Sequence, residues 1–240
     1  LAYADGVNKR GVGLALRKSL NSFTLRFGMN RRFAVSEAVA SHYRENLGLP
    51  TVSVVFNPIP VDRIDAINLD ATDETRVDQR LFRIVIPGRL VKEKGHEVLF
   101  AALELLAEGD RYSIEVLVAG AGPLKSELER VVLSRGLTSQ VKFLGGLAYT
   151  GMLRTMKSAD LVVVPSHFEG FGMTAAEAMC LNVSVIVSSA GGLPEVVENN
   201  VSGIVFPVKD EKSLAKAITS LMQNPSKRSE FAKAGRLRVL

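Results

Sequence analysis

Short apolar runs alternate along this chain with segments whose apolar positions recur every three or four residues, and the alternation is regular from residue 80 onward. The first pattern predicts buried strands and the second predicts helices with one face turned to a core. Candidate strands cover 83–87, 113–119, 141–144, 161–165, 184–188 and 203–206. Helices are expected between them at about 95–108, 123–136, 148–157, 172–181, 193–199 and 211–223, with a last one from about 226. Strands and helices in strict alternation predict an α/β fold with a six-stranded parallel sheet flanked by helices. Upstream, 32–36 and 51–57 read as two short strands around a helix at 37–46, and Asn57-Pro58-Ile59-Pro60 then breaks the pattern before a polar connector over 68–80. A boundary near Pro58 is expected, with 1–58 the tail of one domain and 59–240 a second. No internal repeat or low-complexity tract is visible, which excludes solenoid and disordered architectures.

Chemistry should gather at the C-terminal ends of such strands, where open parallel sheets bind ligands. Gly88, Gly120 and Gly145 each follow a predicted strand, where a sharp turn favours a residue without a Cβ. After the first strand comes Gly88-Arg89-Leu90-Val91-Lys92-Glu93-Lys94-Gly95. Arg89 offers a planar fork of donors and Lys94 a compact charge, a pair suited to a diphosphate. A surface cluster in which Arg89 pairs with Glu93 fits the same spacing. Gly120-Ala121-Gly122-Pro123 closes the second strand and opens a helix expected to begin at Pro123. Its free N–H groups would face a phosphate or sugar, although the full dinucleotide fingerprint is missing because Ser126 and Glu127 stand where a third glycine is sought. Taken alone, these residues favour a plain structural turn.

The sharpest segment is Pro165-Ser166-His167-Phe168-Glu169-Gly170-Phe171-Gly172-Met173-Thr174-Ala175-Ala176-Glu177. Its two carboxylates would lie roughly 12 Å apart along a helix axis if the intervening chain were all helical. That exceeds the roughly 5–9.5 Å of paired glycosidase carboxylates and disfavours a hydrolytic dyad. Opposite ends of one elongated ligand fit better: Glu169 accepting from sugar hydroxyls, Glu177 taking both hydroxyls of a ribose, and free N–H groups near Phe171, Gly172, Met173 and Thr174 lying between. A capping role for Glu169 and a solvated face for Glu177 are the plainer alternative. Last comes Ala190-Gly191-Gly192-Leu193-Pro194-Glu195, in which Glu195 either contacts the sugar or only favours a helix start.

Composition narrows this picture. Cys180 is the one cysteine, so no intrachain disulfide can form and a reducing, cytoplasmic setting is the default, with cysteine-poor secreted proteins as the alternative. His42, His96 and His167 are scattered and give no zinc-ligand spacing. No apolar run reaches the roughly 18–20 residues that span a bilayer, and the N-terminus lacks the order of a signal peptide. Residues 1–32 hold seven cations against Asp5, a net +6, so the other 208 residues sum to −1 in a total of +5. Interleaved with Leu14, Leu16, Leu20, Phe23, Leu25 and Phe27, this stretch suits either an amphipathic helix on anionic lipid or an ordinary basic helix face. Nucleic acid is not an expected partner, since aromatics are few and no recognition motif accompanies the charge.

With these four segments in this order, the sequence resembles the retaining glycosyltransferases of the GT-B fold, family 4, from about Phe33 to Arg238. The most specific element is E-x7-E, Glu169 to Glu177 with Gly170-Phe171-Gly172 between, followed by Gly191-Gly192 and Glu195. The resemblance implies a Rossmann-like C-terminal half of a GT-B fold plus an incomplete N-terminal domain. It implies that Arg89 and Lys94 bind the diphosphate of a UDP- or GDP-sugar, that Glu169 contacts the transferred sugar and that Glu177 binds the ribose. Gly88, Gly120, Gly122 and Leu144 would lie against donor and base. The acceptor would be a carbohydrate or a lipid-linked sugar, and no metal or other cofactor is expected.

One departure stands beside the motif. Where the family commonly continues Glu-Ala-Met-Ala-x-Gly-x-Pro, this chain reads Glu177-Ala178-Met179-Cys180-Leu181-Asn182-Val183-Ser184. Asn182 is expected to take the left-handed conformation in place of glycine. The glycine-rich loop and acceptor residues of the family's first domain are missing, so this chain alone is expected to be a poor catalyst. The competing functions are a nucleotide-sugar epimerase on the same scaffold, for which no convincing acid and base groups are present, and a non-catalytic nucleotide-sugar-binding or membrane-docking module.

Overall fold

The computed structural model describes residues 31–49, 51–67 and 81–240. The basic stretch read as a lipid-facing helix lies, but for Arg31 and Arg32, outside the described residues, as does the connector over 68–80. Two compact units divide the chain, Leu1–Phe56 and Asn57–Leu240.

In the first unit β1 (Phe33–Ala34) and β2 (Ser53–Val54) flank α1 (Glu37–Leu47), and the two strands pair in parallel. Ser36 caps α1 by accepting from the Val39 N–H, and Gly48 ends it in the left-handed region. Ala34, Val39, Ala40, Leu49 and Val52 form its small core.

The second unit opens with a short helix, α2 (Val61–Ala66), which the Asn-Pro-Ile-Pro break had concealed. Then follow β3 (Phe82–Pro87), a 3-10 turn at Lys92–Lys94, α3 (His96–Glu104), α4 (Glu108–Tyr112), β4 (Ile114–Ala119), α5 (Lys125–Ser134) and β5 (Val141–Gly145). The chain continues with α6 (Tyr149–Lys157), β6 (Leu161–Val164), α7 (Met173–Cys180), β7 (Val185–Ser188), α8 (Leu193–Val196), β8 (Ile204–Phe206), α9 (Glu211–Met222) and α10 (Pro225–Val239). All six strands predicted after residue 80 form. Three helices differ from expectation. The helix expected over 95–108 ends at Glu104 and a separate short helix, α4, begins at Glu108, while the one expected over 193–199 ends at Val196. The helix expected at Pro123 starts at Lys125, with Pro123 in a turn and no side chain capping the start.

The sheet is wholly parallel in the order β5-β4-β3-β6-β7-β8. Every residue of β3, β4, β6 and β7 is buried, as strands covered by helices on both faces must be, whereas edge strand β5 alternates. From β3 the chain runs outward through β4 to β5, then returns beside β3 and runs the other way through β7 to β8. Connections leaving β3 and β6 therefore diverge. The carboxyl ends of these two strands frame the crevice where an open α/β sheet takes its ligand.

Candidate functional site

The two segments bordering that crevice are 88–95, after β3, and 165–172, after β6. They are fastened to each other by backbone before any side chain acts. The His167 N–H donates to the Glu93 carbonyl at 2.8 Å. At Gly95, in the left-handed region, a Cβ would stand 2.1 Å from the Pro165 carbonyl oxygen.

On this base Lys94 and Glu169 meet. The Lys94 ammonium donates to Glu169 Oε2 at 2.7 Å, and Ser166 Oγ reaches the same oxygen at 3.3 Å. The pair is neither dry nor fully wet, with side chains 22% and 16% exposed. The Lys94 stem lies along Gly88, and Glu169 is held from behind by the loop after β7, where the Gly192 N–H donates to its carbonyl at 3.2 Å. Gly191 is obligatory here: its φ is +51° and a Cβ would come within 1.7 Å of the Glu169 carbonyl oxygen. The plainer alternative for Glu169, a cap, is not what it does.

Gly120 and Gly122 bring the loop after β4 against the same base. A Cβ on Gly120 would lie 1.8 Å from the Gly88 carbonyl oxygen, and one on Gly122 would lie 2.5 Å from that of Leu90. These glycines are needed for the contact between two loops, a sufficient structural reason for both. Arg89, between Gly88 and Leu90 in the loop after β3, is exposed and has no ion pair among the described residues. The alternative pairing of Arg89 with Glu93 does not form.

Glu177 sits in the second turn of α7 and is 9% exposed, which rules out a solvated face. Burial pushes its carboxyl above the ordinary range, and a hydrogen bond from Tyr149 partly opposes the shift. That bond, Tyr149 Oη to Glu177 Oε1 at 3.1 Å, joins α6 to α7. No sequence pattern announced it, since the partners are 28 residues apart. At the start of α7, Gly172 has φ +110° and no side chain caps the helix, so the N–H groups of Met173 and Thr174 keep their donor capacity beside half-buried Gly170 and buried Phe171.

Leu144 is exposed at the end of β5. Half-buried Glu195, in the first turn of α8, is joined to the loop after β7 by its N–H, which donates to the Gly192 carbonyl at 3.0 Å. Among the described residues no group of three His, Cys, Asp or Glu side chains could hold a metal ion, and no helix is long and apolar enough to cross a membrane.

The family model described as glycosyl transferases group 1 matches residues 71–238. The chain belongs to this family. Among curated relatives of this glycosyltransferase group, an uncharacterized glycosyltransferase of Methanocaldococcus jannaschii is 32% identical over 180 residues, 72% of this chain and 45% of that protein. A GDP-mannose-dependent monoacylated alpha-(1-6)-phosphatidylinositol monomannoside mannosyltransferase of Corynebacterium glutamicum is 32% identical over 178 residues, 71% of this chain and 44% of that protein. The chain thus spans less than half the length of these relatives. Among solved structures, Anabaena HepE in complex with UDP and glucose superposes with a TM-score of 0.82 at 23% identity, covering 95% of this chain and 62% of that one. WaaG, a glycosyltransferase involved in lipopolysaccharide biosynthesis, gives 0.82 at 17% identity, covering 96% and 66%. The fold is that of the GT-B glycosyltransferases.

Proposed function

We propose that this group 1 glycosyltransferase chain supplies the donor-binding half of an enzyme that moves a sugar from a UDP- or GDP-sugar to a carbohydrate or lipid-linked acceptor, with retention at the anomeric carbon. The carrying observation is that the loops after β3 and β6, fastened to each other by backbone, hold the Lys94–Glu169 pair, with exposed Arg89 in the first loop and the uncapped start of α7 following the second. Structural neighbours solved with UDP and with UDP-glucose, and a relative named for GDP-mannose, support a nucleotide-sugar donor.

The chemistry follows from the charges. The bond between the anomeric carbon and the diphosphate oxygen breaks with its electron pair left on the diphosphate. Cations already in place stabilise that charge without reorganising. Lys94 has three donor hydrogens, so its bond to Glu169 leaves two for phosphate oxygens. Arg89 adds a fork. The acceptor oxygen bonds to the anomeric carbon on the face that the diphosphate leaves, and its proton passes to a departing phosphate oxygen, so no enzymic nucleophile is required. Glu169, fixed by Lys94 in front and the 190–192 loop behind, orients the sugar hydroxyls. Metal is given no role in this scheme.

Calorimetric titration of UDP and GDP tests the assignment. Arg89→Ala is expected to weaken the preferred nucleotide by on the order of 10-fold to 100-fold, the value of a charge-assisted bond. The uncharged nucleoside should bind the variant and the parent alike. Equal diphosphate affinities in the two would remove Arg89 from the site.

A further inference from the structure

We infer that Tyr149 is a positioning residue for the nucleotide ribose, acting through Glu177. This rests on the reading, implied by the family resemblance, that Glu177 takes the ribose hydroxyls of the proposed donor, and it adds a residue that no motif in the chain marks.

Glu177 has one hydrogen-bonding side-chain partner among the described residues, the Tyr149 hydroxyl. A nearly buried carboxylate with a single tether has its torsion set by that tether. The geometry leaves room for a ligand: a carboxylate offers about four lone-pair positions, and the phenol takes one on Oε1. Oε2 and the second position on Oε1 stay free for two vicinal hydroxyls. Ordering a loose glutamate when the ligand arrives would cost affinity, and a carboxylate already oriented avoids this.

Tyr149 is itself held on another side. The Arg63 guanidinium, from α2, lies 5.6 Å from the centre of its ring. A cation over the ring face draws electron density from the phenol and strengthens its hydroxyl as a donor. The hydroxyl stays protonated at all working pH values, pushed up to about 12 by burial and by the Glu177 charge. It can therefore only donate to a charged Glu177, which fixes the sense of the bond. The three residues form a relay from α2 through the first residue of α6 to α7, and only its last member is required to touch ligand.

The test is the affinity ratio of a nucleoside diphosphate to its 2′,3′-dideoxy analogue, which reads the hydroxyl contacts alone. UDP and GDP are each titrated against their dideoxy forms on the 240-residue chain, Glu177→Gln, Tyr149→Phe and Arg63→Ala. The unaltered chain should favour the diol by on the order of 10-fold or more, and Glu177→Gln should abolish most of that preference. Tyr149→Phe should cut the preference by about threefold to tenfold while its dideoxy affinity stays within about twofold of the parent. A Tyr149→Phe variant that weakens both nucleotides equally, or neither, while Glu177→Gln loses the preference, would overturn the role of Tyr149 and leave the ribose assignment intact. Loss of preference in neither variant would overturn both. Arg63→Ala keeps the phenol and should lower the ratio less, and it decides the matter if Tyr149→Phe folds poorly; an unchanged ratio there counts against the relay.

Discussion

The two ends of the sheet carry the same residue types in opposite conditions. At the amino ends of β3, β4 and β5, Arg83 is 0% exposed and its capacity is consumed inside the fold: Nε donates to Glu115 Oε2 at 2.8 Å and a terminal nitrogen to Ser158 Oγ at 3.0 Å. Lys142 closes on the other Glu115 oxygen at 2.7 Å, and Asp160 takes the Arg83 backbone N–H at 2.8 Å. At the carboxyl ends, Arg89 is exposed and Glu177 is tied to one neutral phenol. The acids respond accordingly. Burial pushes both upward, but hydrogen bonds from two cations reverse the shift at Glu115, whereas one tyrosine leaves Glu177 raised. A charge spent on its neighbours is architecture, and donor or acceptor capacity left over marks where a ligand belongs.

The largest test breaks the spent end. Glu115→Leu leaves the Arg83 guanidinium buried without its carboxylate and should cost about 3–5 kcal/mol in urea denaturation. Adding Arg83→Met to that variant should recover much of the loss, because a matched apolar pair replaces a buried ion pair at little cost. Folded protein of either variant should bind nucleotide with unaltered affinity. A large affinity change would show that the two ends are coupled, and the comparison would fail.

A second test uses a group that belongs to neither condition. His96 opens α3 directly after the Gly95 turn, is 2% exposed and has no hydrogen-bond partner for either ring nitrogen among the described residues. Burial, then the Lys94 charge, lowers its pKa from 6.5 to about 4. The folded protein therefore refuses a proton that the unfolded chain accepts below pH 6.5. The sign follows: stability is complete above pH 6.5 and falls as pH drops toward 4, by about 3 kcal/mol in all. Unfolding free energies of the parent and His96→Met at pH 7.5 and pH 4.5 check this. The variant should lose that part of the acid dependence, and parallel slopes in the two proteins would discard the explanation. Arg83 keeps its charge because Glu115 is bonded to it, whereas His96, beside the Lys94 charge, is held neutral.

This contrast also explains what the sequence made legible. The strands were readable because every residue of β3, β4, β6 and β7 is buried, which forces unbroken apolar runs on the chain. Rim glycines were readable by type, although the reason for them was not: Gly120 and Gly122 admit a neighbouring loop, which spacing alone cannot distinguish from room for a ligand. Arg83 and Glu115 interrupt their apolar strands without revealing each other, because their partnership depends on strand register, set by packing between distant segments. The Lys94–Glu169 and Tyr149–Glu177 contacts were hidden for the same reason. Each motif marked one end of a contact, and the tertiary fold chose the other. The helix expected at Pro123 starts two residues later, and the Leu124 N–H donates to the Leu90 carbonyl at 3.1 Å, a bond that pins the loop after β4 to the loop after β3.

The smallest test separates the turns at the two ends. Asn182, between α7 and β7, lies at the amino end of the sheet and takes φ +58°, the left-handed conformation expected where the family commonly has glycine. Gly191, at the carboxyl end, takes φ +51° with a neighbouring carbonyl oxygen where a Cβ would be. The two backbones are nearly alike in φ, but only one has space beside it that admits a side chain. Asparagine visits the left-handed region at modest cost, so Asn182→Gly trades relief of that cost against greater freedom of the unfolded chain. The opposing terms should leave a net change within about 0.5 kcal/mol, read as a shift in urea midpoint at constant slope. A loss well beyond that would mean that the Asn182 side chain makes a contact that matters, and turns at the amino end would then be as constrained as those on the rim.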